Sequence, residues 1–198
     1  MAGCDLAFVT YDCMEPIEIR LKVNGEPRSW RIAPGDVLLD VLRRENYFGV
    51  KRGCETGECG ACTVLLDGKS VNSCLVFAAQ AHGCDIVTIE GLARGDRLHP
   101  IQEAFLEAGA VQCGFCTPGM VLNTKAFLEQ CPQPTEAEAR KALAGNYCRC
   151  TGYKKPVEAV MAAAAAANFG LRISDCGLHS RSKSPIRNPH SAIKRGRR

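Results

Sequence analysis

The chain has 198 residues, 46% of them hydrophobic, with 25 Lys/Arg against 21 Asp/Glu and a formal charge of +4. That length suffices for two small domains, each burying a core, and no apolar run is long enough to span a membrane. The positive surplus does not mark a nucleic-acid-binding body, because residues 1–170 carry 17 Lys/Arg against 20 Asp/Glu while residues 171–198 carry eight against one.

Residues 1–15 lack a basic start followed by an apolar core, so no secretory signal is expected and the cytoplasm is the expected compartment. Ile17 to Val23 alternates apolar and polar side chains as a strand does, Asn24-Gly25 is a hairpin turn, and Ser29 to Ile32 returns as a second strand. Asp36 is placed to cap a helix carrying Val37, Leu38, Val41 and Leu42 on one face. Arg43-Arg44 falls inside that helix and is not a twin-arginine signal. Thr63 to Leu66 followed by Asp67-Gly68 reads as a strand and turn, and Ile86 to Ile89 as the last strand. A hairpin, a helix, a loop and two further strands make a small α+β unit of the ferredoxin, or β-grasp, type.

The loop between the helix and the third strand holds the first chemical signal. Cys54, Cys59, Cys62 and Cys74 are spaced C-x4-C-x2-C-x11-C. Four thiolates are the ligand set of an iron–sulfur cluster or a structural zinc, and C-x4-C-x2-C opens the plant-type [2Fe–2S] pattern. Gly49, Gly53, Gly57 and Gly60 punctuate the loop. Glycines let the backbone approach a ligand closely and turn successive N–H groups toward an anion. Zinc has no need of so many glycines, and its C-x2-C knuckles usually come in pairs.

From about Leu92 the pattern becomes helical. Pro100 opens a helix bearing Ile101, Phe105 and Leu106; Thr117-Pro118-Gly119 opens a second with Met120, Val121, Thr124 and Leu128. Thr135 and Glu138 form a capping box for a third, ending near Gly145-Asn146, and the alanine-rich run Val157 to Ala167 is a fourth. Cys113 and Cys116 precede the second of these helices; Cys148 and Cys150 precede the fourth. Helix N-termini offer unpaired N–H groups and partial positive charge to an anionic cluster. Taken alone, C-x2-C with a distant C-x-C leaves zinc open. A disulfide pair is disfavoured, because a reduced first tetrad implies a reducing compartment.

Cys4, Cys13, Cys84, Cys131 and Cys176 form no ligand-spaced group and read as ordinary thiols. His82, His99, His179 and His190 are scattered, which does not suit a Rieske arrangement. Lys51 and Arg52 flank the first loop as a solvated pair or as a contact to a partner. The segment from Ser174 onward lacks apolar periodicity and reads as a solvated, disordered basic tail.

The two tetrads together resemble the small iron–sulfur subunit of the xanthine dehydrogenase, or molybdenum hydroxylase, family. The matching text is Gly53 to Val64 (GCETGECGACTV), Asn72 to Leu75 (NSCL), Gln112 to Gly119 (QCGFCTPG) and Gly145 to Tyr153 (GNYCRCTGY). The resemblance spans roughly residues 16–168, with the four motifs in the family's order, a combination more specific than any one of them. It implies an N-terminal extension (1–15), a ferredoxin-like [2Fe–2S] domain (16–91), an all-α four-helix-bundle [2Fe–2S]-binding domain (92–170) and the basic tail (171–198).

It further implies that Cys54, Cys59, Cys62 and Cys74 hold a cluster facing FAD on a medium subunit. Cys113, Cys116, Cys148 and Cys150 would hold one nearest a molybdenum–pterin cofactor on a large subunit. Gln112 matches the position that hydrogen-bonds the pterin, and Cys150 the ligand lying closest to it. The expected assembly is a dimer of heterotrimers, with no nucleic acid. Substrate oxidation belongs to the large subunit, so no catalytic residue is expected on this chain, whose task is to relay electrons. Two positions depart from the family. Tyr147 replaces the usual Leu and is expected to keep its packing; Pro156 replaces a branched aliphatic in the first turn of a helix, where its missing N–H costs little. The competing readings are a free two-cluster ferredoxin, which has no need of a pterin-facing Gln112, and a zinc-bound interaction module with a nucleic-acid-binding tail.

Overall fold

The structure is a computed structural model that describes residues 15–168; the expected N-terminal extension and basic tail fall almost wholly outside them. A five-stranded sheet is formed by β1 (Ile17–Val23), β2 (Glu26–Ile32), β3 (Thr63–Leu66), β4 (Lys69–Asn72) and β5 (Asp85–Val87), in the order β2-β1-β5-β3-β4. β1 and β5 run parallel and the other neighbours antiparallel. Asn24-Gly25 and Asp67-Gly68 both take positive φ, the conformation a two-residue hairpin turn requires. β4 is the return strand of the second hairpin; its four residues KSVN carry little apolar pattern, so only the turn before it announces it.

The alternation of β1 and β2 puts Ile19, Leu21, Val23, Trp30 and Ile32 on one face. Helix α1 (Leu38–Arg44) lays Leu38, Leu39, Val41 and Leu42 against that face. Asp36 does not cap this helix. The N-cap is Val37, and the Asp36 carboxylate instead accepts from the Ala33 N–H at 3.0 Å and pairs with Arg44.

Four helices follow: α2 (Pro100–Glu107), α3 (Thr117–Gln130), α4 (Glu136–Ala142) and α5 (Lys154–Asn168). Pro100 stands at the first turn of α2 with His99 as its cap, and Thr135 with Glu138 forms the expected capping box on α4. Helix α5 starts before the alanine run, so Pro156 sits buried in its first turn. Ile101, Phe105, Met120, Leu128, Val157 and Val160 share one core, whereas Leu106 is exposed. That core is not made by helices alone. Leu65 and Val87 reach into it from the back of the sheet, and α3 packs on β3 and β4. Neighbouring Val64 points the other way, into the core beneath α1, so the sheet is covered on both faces.

Candidate metal centres

The first cysteine loop runs between α1 and β3. Cys54 and Cys59 are half-buried and Cys62 is buried, while Cys74 lies in a single helical turn after β4, also buried. The Cys54 sulfur accepts from the Thr56 N–H at 3.4 Å and the Cys59 N–H at 3.3 Å. The Thr56 hydroxyl first, then these backbone donors, hold the Cys54 thiol down to about 6. Burial pushes Cys74 up to about 11, helped by contact with Cys62 and by Cys54 nearby. The glycines divide by purpose. Gly57 and Gly60 take positive φ, whereas a Cβ on Gly53 would lie 2.6 Å from the Cys59 sulfur, so Gly53 makes room for a thiolate rather than turning the chain. Arg52 is half exposed and pairs with Asp40 on α1 and Glu55 in the loop.

The second site joins the segment before α3 to the segment before α5. Cys116 is the N-cap of α3 and buried; Cys113 and Cys150 are exposed; Cys148 is half-buried. Cys113 meets Cys150, and Cys116 meets Cys148. Burial pushes Cys116 up to about 12, with Cys148 adding to it. Burial also raises Cys148, but the Thr151 hydroxyl (3.0 Å) and N–H (3.4 Å) outweigh it and bring the thiol below its ordinary value. Cys113 is lowered by the Phe115 N–H. Gln112 is exposed beside it.

The structure brings the thiols of each predicted tetrad near one another in pairs rather than as a closed set of four. Among the described residues no three His, Cys, Asp or Glu side chains close on one point as ligands of a single ion would. The thiols instead meet two by two: Cys54 with Cys59, Cys62 with Cys74, Cys113 with Cys150, Cys116 with Cys148. Several features escaped the sequence reading. Thr56 and Thr151 direct donors at sulfur, Tyr153 offers its hydroxyl oxygen to the Cys148 N–H at 2.9 Å, and Asn146 is buried between the sites. Thr151, Tyr153 and Asn146 lie inside a matched motif, but only the fold supplies their partners. Tyr147 does not keep a core packing position; it is 58% exposed. Its backbone N–H instead donates to the Cys59 carbonyl at 2.9 Å, tying the second loop to the first.

Comparison with known proteins matches this geometry. Residues 21–84 match the 2Fe-2S iron-sulfur cluster binding domain, and residues 88–161 the [2Fe-2S] binding domain. The nicotinate dehydrogenase small FeS subunit of Eubacterium barkeri is 50% identical over 143 residues, covering 72% of this chain and 91% of that protein. The xanthine dehydrogenase iron-sulfur-binding subunit of Escherichia coli O157:H7 is 48% identical over 149 residues, covering 74% and 94%. A chain of the quinoline 2-oxidoreductase crystal structure from Pseudomonas putida 86 superposes with a TM-score of 0.75 at 43% identity, covering 79% of this chain and 98% of that one. A ferredoxin-like sheet with one thiol loop and a set of helices with another define a two-site iron–sulfur protein. The chain belongs to the small iron–sulfur subunits of the xanthine dehydrogenase-type molybdenum hydroxylases, and its function is electron transfer within such an oxidoreductase.

Proposed function

We propose that Cys54, Cys59, Cys62 and Cys74 hold one [2Fe–2S] cluster and Cys113, Cys116, Cys148 and Cys150 the other. The pairwise meeting of the thiols carries this reading, because each iron of such a cluster takes two protein ligands. The donor chemistry supports it. Buried thiols at Cys74 and Cys116 resist ionisation on their own, whereas a coordinating metal deprotonates them outright. N–H groups aimed at Cys54 and Cys148 suit thiolates rather than thiols. When bound, the two clusters supply one-electron carriers between a two-electron oxidation and a flavin. This chain's residues fix the separation and tune the sulfurs.

The same reading divides the chain into a ferredoxin-like domain (16–91) and a four-helix bundle (92–170). It assigns Gln112, with Cys113 and Cys150 exposed beside it, to the face that meets the pterin of a large molybdenum subunit. The first site faces FAD on a medium subunit. A dimer of such heterotrimers in the cytoplasm is the expected assembly. No described helix is long and apolar enough to cross a membrane.

The test is iron and acid-labile sulfide analysis of the chain purified without oxygen, with paramagnetic resonance after reduction. About four irons and four sulfides per chain and two distinct signals are expected. Cys116→Ser should remove one signal and leave the other. Zinc in place of iron, or one signal at full loading, would overturn the ligand assignment. Co-purification with molybdenum- and FAD-containing subunits tests the partner reading, and a cluster-loaded chain that always purifies alone would favour a free carrier.

A further inference from the structure

The two cysteine loops meet at a joint that no thiol makes. Asn146, in the turn between α4 and α5, is 2% exposed. Its Nδ2 donates to the Gly60 carbonyl at 3.0 Å and lies 3.4 Å from Thr63 Oγ1, while its Oδ1 accepts from Asn123 Nδ2 on α3 at 2.8 Å. Asn123 Nδ2 also donates to the Ala142 carbonyl at 2.7 Å. A carbonyl oxygen can only accept, so the Asn146 amide has one satisfactory orientation. The Gly60 carbonyl is a hub, taking the Thr63 N–H at 3.2 Å and the Thr63 hydroxyl at 2.7 Å as well.

The backbones close up around this amide. A Cβ on Gly60 would lie 2.3 Å from the Gly145 carbonyl oxygen, and a Cβ on Gly119 would lie 2.3 Å from that of Gly60. Side chains at either position would push the loops apart. The groups joined here stand next to ligands on both sides: Gly60 lies between Cys59 and Cys62, Gly119 is in the first turn of α3 after Cys116, and Asn146 is two residues before Cys148.

Resting on the ligand assignment above, we propose that Asn146 is a positioning residue that sets the separation of the two iron–sulfur sites. It is a short strut, hydrogen-bonded at both ends of its amide and clamped between the first loop and α3. Electron tunnelling falls exponentially with distance, so a relay gains from a joint with one length. A buried amide with every partner satisfied has one geometry, whereas an apolar contact at the same place could slide.

The experiment is pulsed paramagnetic resonance on the full chain loaded with iron and sulfide and fully reduced. The dipolar interaction between the two centres falls as the inverse cube of their separation. Asn146→Asp sets a carboxylate oxygen against the Gly60 carbonyl and should spread the joint. Gly119→Ala drives a methyl into the same carbonyl from α3 while favouring the helix itself. Both variants should keep two signals and lose part of the dipolar splitting. Thr135→Ala, which loosens the α4 cap away from the joint, should keep the wild-type splitting. Wild-type splitting in both joint variants, or an equal loss in Thr135→Ala, would overturn the role of Asn146. If Asn146→Asp fails to load, Gly119→Ala decides by itself. A wild-type chain without two iron centres would instead sink the ligand assignment, before any variant is compared.

Discussion

Thr151 shows how one hydroxyl can tune a metal site. Its oxygen accepts from the Tyr153 N–H at 3.2 Å, which leaves the hydroxyl proton free to point at Cys148 Sγ, 3.0 Å away. A donor to a ligand sulfur stabilises the more negative, reduced state more than the oxidised one. Thr151→Val keeps the branched shape and removes the donor. The midpoint potential of the second site should fall while that of the first stays put, and Thr151→Ser should restore it. Redox titration followed by paramagnetic resonance reads both sites at once, and equal potentials in wild type and valine variant would show the contact to be idle.

At the scale of the element, the cap of α2 predicts an acid sensitivity. His99 is 5% exposed, and its Nδ1 accepts from the Ile101 N–H at 3.2 Å. Burial first, then the charges of Lys125 and Arg94, hold its pKa down to about 4. The unfolded chain takes up the proton near the ordinary value of 6.5, so the stabilising contribution is complete above that pH and is lost as pH falls toward 4. His99→Asn keeps an oxygen acceptor at the cap without the titration. Between pH 7 and 4 the wild type should lose about 2 to 3 kcal/mol more stability than the variant. Parallel denaturation curves across that range would refute it. This helix also marks where sequence reading succeeds and where it stops. Pro100, the Thr135–Glu138 box and the Asn24-Gly25 turn were legible because their chemistry is local. So were the two iron–sulfur domains, because cysteine spacing survives any folding. The misplaced Asp36 cap and the unread strand β4 failed locally, because Asp36 turns back to the Ala33 N–H and KSVN carries little strand pattern. The Tyr147 segment, by contrast, is placed by its tie to Cys59 across the fold. The Asn146 joint is the extreme case, because its partner Gly60 is 86 residues away.

Across the whole molecule, the two halves share a core. Leu65 is 1% exposed and Val87 5%, and both sit among the helical apolar side chains, while Val64 and Ile86 serve the other core. A sheet filled from both faces cannot open on one side without exposing apolar surface on the other, so the halves should unfold together. The sequence provides separate reporters. Trp30, the only tryptophan, lies in β2 with its ring 6.3 Å from that of Tyr47, whereas most of the helix lies in α2 to α5. In denaturant, tryptophan fluorescence and helical circular dichroism of the wild type should trace one transition. Leu65→Ala removes the side chain that β3 lends to the helices, at a cost of about 2 to 5 kcal/mol, and leaves Val64 in its own core. Its two transitions should therefore separate, with the helical signal lost first. Two separated transitions already in the wild type would mean that Leu65 and Val87 touch the helical core without coupling it to the sheet.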